Sequence, residues 1–239
     1  MFSGHMFDAQ INDLSQNNTV IRIDLRGYGQ SSLPGSDTYR HCDDVAAVLD
    51  AIGLDRVVIG GHSMGGAVAL DFAFAYPDRV AGLVFDAATP SEGWQWREEL
   101  STQPVVDAFK SGGIEAARQA VLDLPLLASA MEHPQAAATL SEVMDSYSGW
   151  HFENPDPAEW AEPDPLGRAE MIAAPALVVF GGCDVLDFRL MSEALAEHYQ
   201  TPSAISGRTP GHVPNMEQPD AFNQLVTNFL NIVNTTGST

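Results

Sequence analysis

The chain has 239 residues, 45% of them hydrophobic and 18% charged, enough for one large α/β domain with a sizeable core. Its 32 Asp and Glu stand against 11 Lys and Arg, a formal net charge of −21. That balance repels a phosphate backbone and an anionic membrane surface alike, so neither nucleic acid nor membrane is an expected partner. No apolar run approaches the length of about 18 residues that a membrane span takes. The two cysteines, Cys42 and Cys183, make no disulfide framework and read as free thiols in a reducing, cytoplasmic setting.

The opening "MFSGHMFDAQ" has neither the basic region nor the apolar core of a signal peptide. A helix is predicted over 6–16, and "TVIRIDL" (19–25) reads as a buried strand. "RGYGQSSLPG" is turn chemistry. In "YRHCDDVAAVLDAIG" (39–53), Val45, Val48, Leu49 and Ile52 recur at helical spacing up to Gly53. "RVVIGG" (56–61) is a second strand, 64–76 a second helix and "RVAGLVFDAA" (79–88) a third strand.

Residues 91–170 change character. They hold all four tryptophans, several prolines and helix-like pieces, with fifteen acidic side chains to four basic ones. That excess reads as a solvated surface. Strands resume at "PALVVFGG" (175–182), followed by a helix over 187–199, a short strand near 202–207 and an amphipathic helix over 218–233. Strands alternating with helices predict a mostly parallel sheet with helices on both faces. The expected organisation is an α/β core of 1–90 and 171–239 with 91–170 inserted at the strand ends as a helical cap.

The strand–helix junction carries Gly61-His62-Ser63-Met64-Gly65, a G-x-S-x-G pattern. A serine on so sharp a turn is held in a strained conformation, and residues two away on either side must be small. Its hydroxyl then stands above the sheet. The Met64 amide, at the helix start, points where an oxyanion would form. A serine hydroxyl needs a base, and the base an orienting acid. Of seven histidines, His62 is expected to point away along the turn. His41 and His198 fall in helical patterns and read as solvated, and His133 and His151 are candidates for lining a pocket in the insertion. His212, in "TPGHVPNMEQP" between the last strand and last helix, sits where a parallel sheet presents its active-site edge. Asp184 follows the strand "ALVVF" and is the favoured acid. Asp86 and Asp187 remain alternatives, each otherwise a capping residue.

These residues, in the order Ser63, Asp184, His212, resemble the α/β-hydrolase family with an inserted cap. So do the blocks "DLRGYGQSS", "GGHSMGG", "AYPDRVAGLVFDAA", "FGGCD" and "PGHVPNMEQPDAF". The small esterases, enol-lactonases and cofactor-free haloperoxidase-like enzymes look nearest. The resemblance implies Ser63 as nucleophile, His212 as base and Asp184 as orienting acid. It also implies hydrolysis of an ester or similar acyl bond with no metal and no cofactor. Perhydrolysis at the same serine, or a degenerate binding module, are the alternatives.

One departure stands out. The family carries a strand ending in His-Gly some 25–30 residues before the aspartate that matches Asp24, and a backbone amide just beyond it supplies half of the oxyanion hole. Here the first strands of the fold are missing, including the one expected between "TVIRIDL" and "VVIGG". The expectation is a shortened start, or a "TVIRIDL" that slides across to pair with "VVIGG". Trp94, Trp96, Trp150 and Trp160 are expected either to wall the substrate pocket or to form the cap's own core. The acidic cap disfavours a dianionic substrate, although Arg97, Lys110, Arg118 or Arg168 would serve to hold a carboxylate. The expected partner is therefore a neutral, small to medium ester or lactone.

Overall fold

In a computed structural model, residues 2–98, 100–199 and 210–236 are described. A 3₁₀ turn at Gly4–Phe7 leads into α1 (Asp8–Leu14). Helix α2 (His41–Ile52) stops at Gly53, whose φ of 73° is the left-handed C-cap that favours glycine. Then follow β1 (Val57–His62), α3 (Met64–Ala75) and β2 (Val80–Asp86). The stretch 91–170 holds α4 (Gln103–Leu122), α5 (Ala128–Met131), α6 (Pro134–Ser146) and α7 (Trp150–Glu153). β3 (Ala176–Val179), α8 (Leu186–Tyr199), α9 (Pro214–Glu217) and α10 (Pro219–Thr236) complete the chain.

The sheet runs β1-β2-β3 and is parallel throughout. Alternation along β2 decides what each face meets. Leu83 and Phe85 point into one cluster with Val45 and Leu49 of α2, Val68, Leu70 and Phe72 of α3 and Leu195 of α8. Val84 points the other way, into Phe222, Val226 and Phe229 of α10. Gly82 lets α10 lie close: a Cβ there would sit 3.1 Å from Phe229 and 3.2 Å from Val233. The sheet is thus sandwiched between two helical layers, as read from the sequence.

A third cluster belongs to the helices of 103–153. Val121, Leu127, Leu140, Met144 and Tyr147 pack on Met6, Tyr28, Val213 and Met216. Their core is shared with the loops of the α/β part.

One expectation changes. Residues 19–25 form no strand, and among the described residues no backbone hydrogen bond joins them to β1. They have not slid across to pair with β1. A cavity of about 750 Å³ lies between the two segments, and a strand exists only through a bonded neighbour. Ile21 is accordingly 39% exposed. The short strand expected near 202–207 lies outside the described residues.

Candidate active site

The chain turns from β1 into α3 at Ser63, whose φ of 50° and ψ of −117° lie where few residues other than glycine go. The Ser63 amide donates to the Asp86 carbonyl at 2.9 Å, and its own carbonyl accepts from Gly66, Ala67 and Thr89. These bonds hold the strained turn. Ala87, at the end of β2, is the second non-glycine with positive φ, at 45°, and it borders the same turn.

The glycines around Ser63 are not equivalent. A Cβ on Gly61 would fall 2.2 Å from the Gly65 carbonyl carbon, and one on Gly66 would fall 2.4 Å from Ala88 Cβ. A Cβ on Gly65 would meet nothing within 4 Å. The expectation that both neighbours two away must be small therefore holds for Gly61 only.

The structure brings Ser63, His212 and Asp184 together. The Ser63 hydroxyl donates to His212 Nε2 at 3.0 Å, and His212 Nδ1 donates to Asp184 Oδ2 at 2.9 Å. In this arrangement His212 is the Nδ1–H tautomer with Nε2 as acceptor. Asp184 Oδ1 accepts the Val185 amide at 2.7 Å, so both carboxylate oxygens are engaged. His212 is 2% exposed, and Phe188 packs on its ring at 4.8 Å between centroids. Met64 is the first residue of α3, at the end of the helix where amides lack intrahelical partners. Thr89 Oγ1 lies 3.5 Å from Ser63 Oγ.

The two alternative acids are placed elsewhere. Asp187 accepts Trp94 Nε1 at 2.9 Å together with the amides of Arg97 and Glu98. Burial pushes its carboxyl up, but those donors win and hold it below the usual range. It ties down the 94–98 loop instead of orienting a base. Asp86 is buried beneath the site, and its Oδ2 lies 3.4 Å from His62 Nδ1, which is too long for a good hydrogen bond. Both carboxylate oxygens and both imidazole nitrogens lack a hydrogen-bond partner among the described residues. Burial pushes Asp86 well above the carboxylate range. Burial, and then the neighbouring His212, push His62 well below the imidazole range. His62 does not point away from the site as expected; its ring meets His212 edge-on at 4.8 Å.

Glu217 is a participant that the sequence reading missed. Its buried carboxylate accepts the Gly211 amide at 3.0 Å and the Val213 amide at 3.3 Å, on either side of His212. It also accepts the Ser129 hydroxyl from α5. One carboxylate thus fastens the His212 loop to α5. The only trace in the sequence is an acid among the prolines and apolar residues of "GHVPNMEQP", and nothing local shows that it folds back on residues 211 and 213.

The cavity beside Ser63 is lined by Met64, His62, His212 and Phe188 near the serine. None of the four tryptophans lines it. Trp94 is held by Asp187, Trp96 is 45% exposed and packs on Phe188, Trp150 meets His151, and Trp160 packs on the core cluster that holds Phe72 and Phe85. Arg118 and Arg168 are paired with Glu115 and Glu162, and Arg97 lies over Trp94. None of the candidate carboxylate-holding cations, Lys110 included, lines the cavity. His41, read as solvated, is 4% exposed and stacks edge-on with Tyr39. His133 is half-buried near Glu217, and His151 hydrogen-bonds the Tyr147 hydroxyl at 2.8 Å.

Residues 3–205 match the family model described as "alpha/beta hydrolase fold". A 2-hydroxy-6-oxononadienedioate/2-hydroxy-6-oxononatrienedioate hydrolase of Burkholderia vietnamiensis is 30% identical, over 88% of this chain and 76% of its own. A pimeloyl-[acyl-carrier protein] methyl ester esterase of Neisseria meningitidis is 28% identical, over 95% of this chain and 88% of its own. Among solved structures, a thermophilic esterase from Thermogutta terrifontis superposes with a TM-score of 0.76 at 27% identity, covering 97% of this chain and 86% of that one.

Proposed function

We propose, from the premise that this chain belongs to the α/β-hydrolase family, that it cleaves a small to medium carboxylic ester or lactone through an acyl-enzyme on Ser63. That the enzyme is a hydrolase acting on esters follows from its relatives. The observation that carries the finer reading is the continuous Ser63–His212–Asp184 chain of hydrogen bonds, 3.0 and 2.9 Å long.

In this reading His212 Nε2 takes the proton as Ser63 Oγ attacks the carbonyl carbon. The carbonyl π bond breaks toward oxygen, and that oxyanion faces the Met64 amide at the positive end of α3. The imidazolium, held by Asp184, then gives its proton to the leaving alkoxide as the ester C–O bond breaks. Water, deprotonated by the same imidazole, releases the acid. Asp184 keeps the imidazole in one tautomer and stabilises its positive charge without taking the proton.

The near-absence of free cations at the cavity among the described residues supports a neutral substrate. Arg22 and Arg56 reach its wall but are already engaged, Arg22 with Gly4 and Asp8 and Arg56 with the Val80 carbonyl. The inserted helices serve as a cap over the site in this account. Among the described residues no helix is long and apolar enough to cross a membrane, and the two unpaired cysteines support a reducing, cytoplasmic setting.

Hydrolysis of p-nitrophenyl esters of graded chain length tests the reading. Turnover that disappears in Ser63→Ala and in His212→Ala supports it. Folded wild-type protein without turnover, or turnover unchanged in Ser63→Ala, contradicts it.

A further inference from the structure

Between the end of β2 at Asp86 and the start of α4 at Gln103, no helix or strand is described. Among the described residues, 90–98 make one backbone–backbone hydrogen bond, from the Trp94 amide to the Ser91 carbonyl at 3.0 Å. A strap of this kind cannot hold its own shape, and its position is set at its two ends. At the first end the Thr89 amide donates to the Ser63 carbonyl at 3.2 Å. At the second end Asp187 of α8 takes three residues at once. Its Oδ1 accepts Trp94 Nε1–H at 2.9 Å, and its Oδ2 accepts the amides of Arg97 at 3.0 Å and Glu98 at 2.8 Å. The strap thus runs from the turn that carries Ser63 to the helix that carries Asp187.

Asp187 is 0% exposed. A carboxylate out of water carries a large desolvation cost unless donors surround it, and here every listed donor belongs to the strap. The next residue on α8, Phe188, packs on the His212 ring at 4.8 Å between centroids and on Trp96 at 5.8 Å. Trp96, Phe188 and His212 therefore stand in series from the strap to the base. Directly beyond the strap, Leu100 and Thr102 line the cavity beside Ser63, as Phe188 does. The base is held separately, by Asp184 and by the Glu217 bonds to the residues on either side of it. Loosening the strap therefore shifts the cavity wall and leaves the triad joined.

We propose, on the reading of Ser63 as the nucleophile of an ester hydrolase, that Asp187 is a positioning residue that sets acyl-chain selectivity. By fixing 94–98 it fixes the wall of Leu100, Thr102 and Phe188 against which the acyl chain of the substrate lies. Asp187 touches neither the substrate nor the triad. It acts through the strap and through Phe188.

The test measures kcat and KM for p-nitrophenyl acetate and p-nitrophenyl hexanoate in wild type, Asp187→Asn and Trp94→Phe. Asparagine keeps one acceptor oxygen and turns an NH₂ group toward the strap's donors whichever way it sits. In Asp187→Asn the ratio of kcat/KM for hexanoate to that for acetate is expected to fall about tenfold, with the change carried by the KM for hexanoate more than by its kcat. Trp94→Phe keeps a ring and removes one donor. It is expected to lower the same ratio about threefold, and it decides the matter if Asp187→Asn does not fold. A merely structural loss of active enzyme lowers both esters alike and leaves the ratio where it was. An unchanged ratio in a folded, active variant, or a fall carried by kcat at constant KM, would overturn the role given to Asp187 and leave the hydrolase reading standing. Folded wild-type protein that hydrolyses neither ester would overturn that reading, and the role of Asp187 with it.

Discussion

At the level of single residues, Gly61 and Gly65 flank Ser63 symmetrically in the sequence but not in space. Only Gly61 is pressed against backbone, at 2.2 Å, while the position above Gly65 is open. Gly61→Ala is therefore expected to abolish turnover and lower the melting temperature. Gly65→Ala, inside α3, is expected to fold with stability unchanged or raised by about 0.5–1 kcal/mol, which thermal unfolding checks. The pair of buried carboxyls makes a second contrast. Asp184→Asn leaves the geometry but loses the acceptor for His212 Nδ1–H, and kcat is expected to fall by about 10⁴-fold. Asp86→Asn is expected to change kcat little and to change stability with pH. Burial holds Asp86 protonated in the folded state, whereas the unfolded chain releases that proton above about pH 4. Wild-type stability thus declines as pH rises above that value, and Asn, which does not titrate, avoids the loss. Asp86→Asn should gain on wild type by up to about 1.4 kcal/mol per pH unit from pH 4 upward, measured by denaturant unfolding. A large kcat loss in Asp86→Asn with a silent Asp184→Asn would reverse the assignment of the acid. As candidates, Ser63 was legible from the motif, Asp184 from the strand it follows and His212 from its loop between the last predicted strand and the last helix. The motif was silent on which glycine matters, since that depends on a turn closing in three dimensions.

At the level of elements, α5, α9 and the residues just before α9 meet at the Glu217 carboxylate, which receives the two amides flanking His212 and the Ser129 hydroxyl. Glu217→Gln replaces one acceptor oxygen by an NH₂ facing those donors. It is expected to cost about 1–3 kcal/mol of stability and to lower kcat with little change in KM; Ser129→Ala is expected to do less of both. A Glu217→Gln enzyme with wild-type kcat would show that the clasp does not position the base. Helices were read well from periodicity, because a helix closes its hydrogen bonds within itself: the spacing in 39–53 became α2 with an error of a residue or two at each end. "TVIRIDL" was misread for the converse reason. Its alternation and β-branching are those of a strand, but a strand is defined by a partner, and here the partner position is a cavity. Likewise the tryptophans of 91–170 were legible as large apolar groups, while their burial partners, Asp187 for Trp94 and Phe188 for Trp96, lie some ninety residues away.

At the level of the whole molecule, the net charge of −21 makes the folded chain self-repelling, and salt screens that repulsion over a Debye length of about 10 Å at 0.1 M. The melting temperature is expected to rise by several degrees between 10 mM and 500 mM NaCl; a fall would show that specific ion pairs outweigh the repulsion. The central claim is that the fold carries a reactive serine served by His212. Peptide mapping by mass spectrometry after brief exposure to a fluorophosphonate tests it most directly. The account predicts one adduct, on Ser63, formed slowly or not at all in His212→Ala. Folded wild-type protein that stays unlabelled, or that is labelled at another residue, would contradict it.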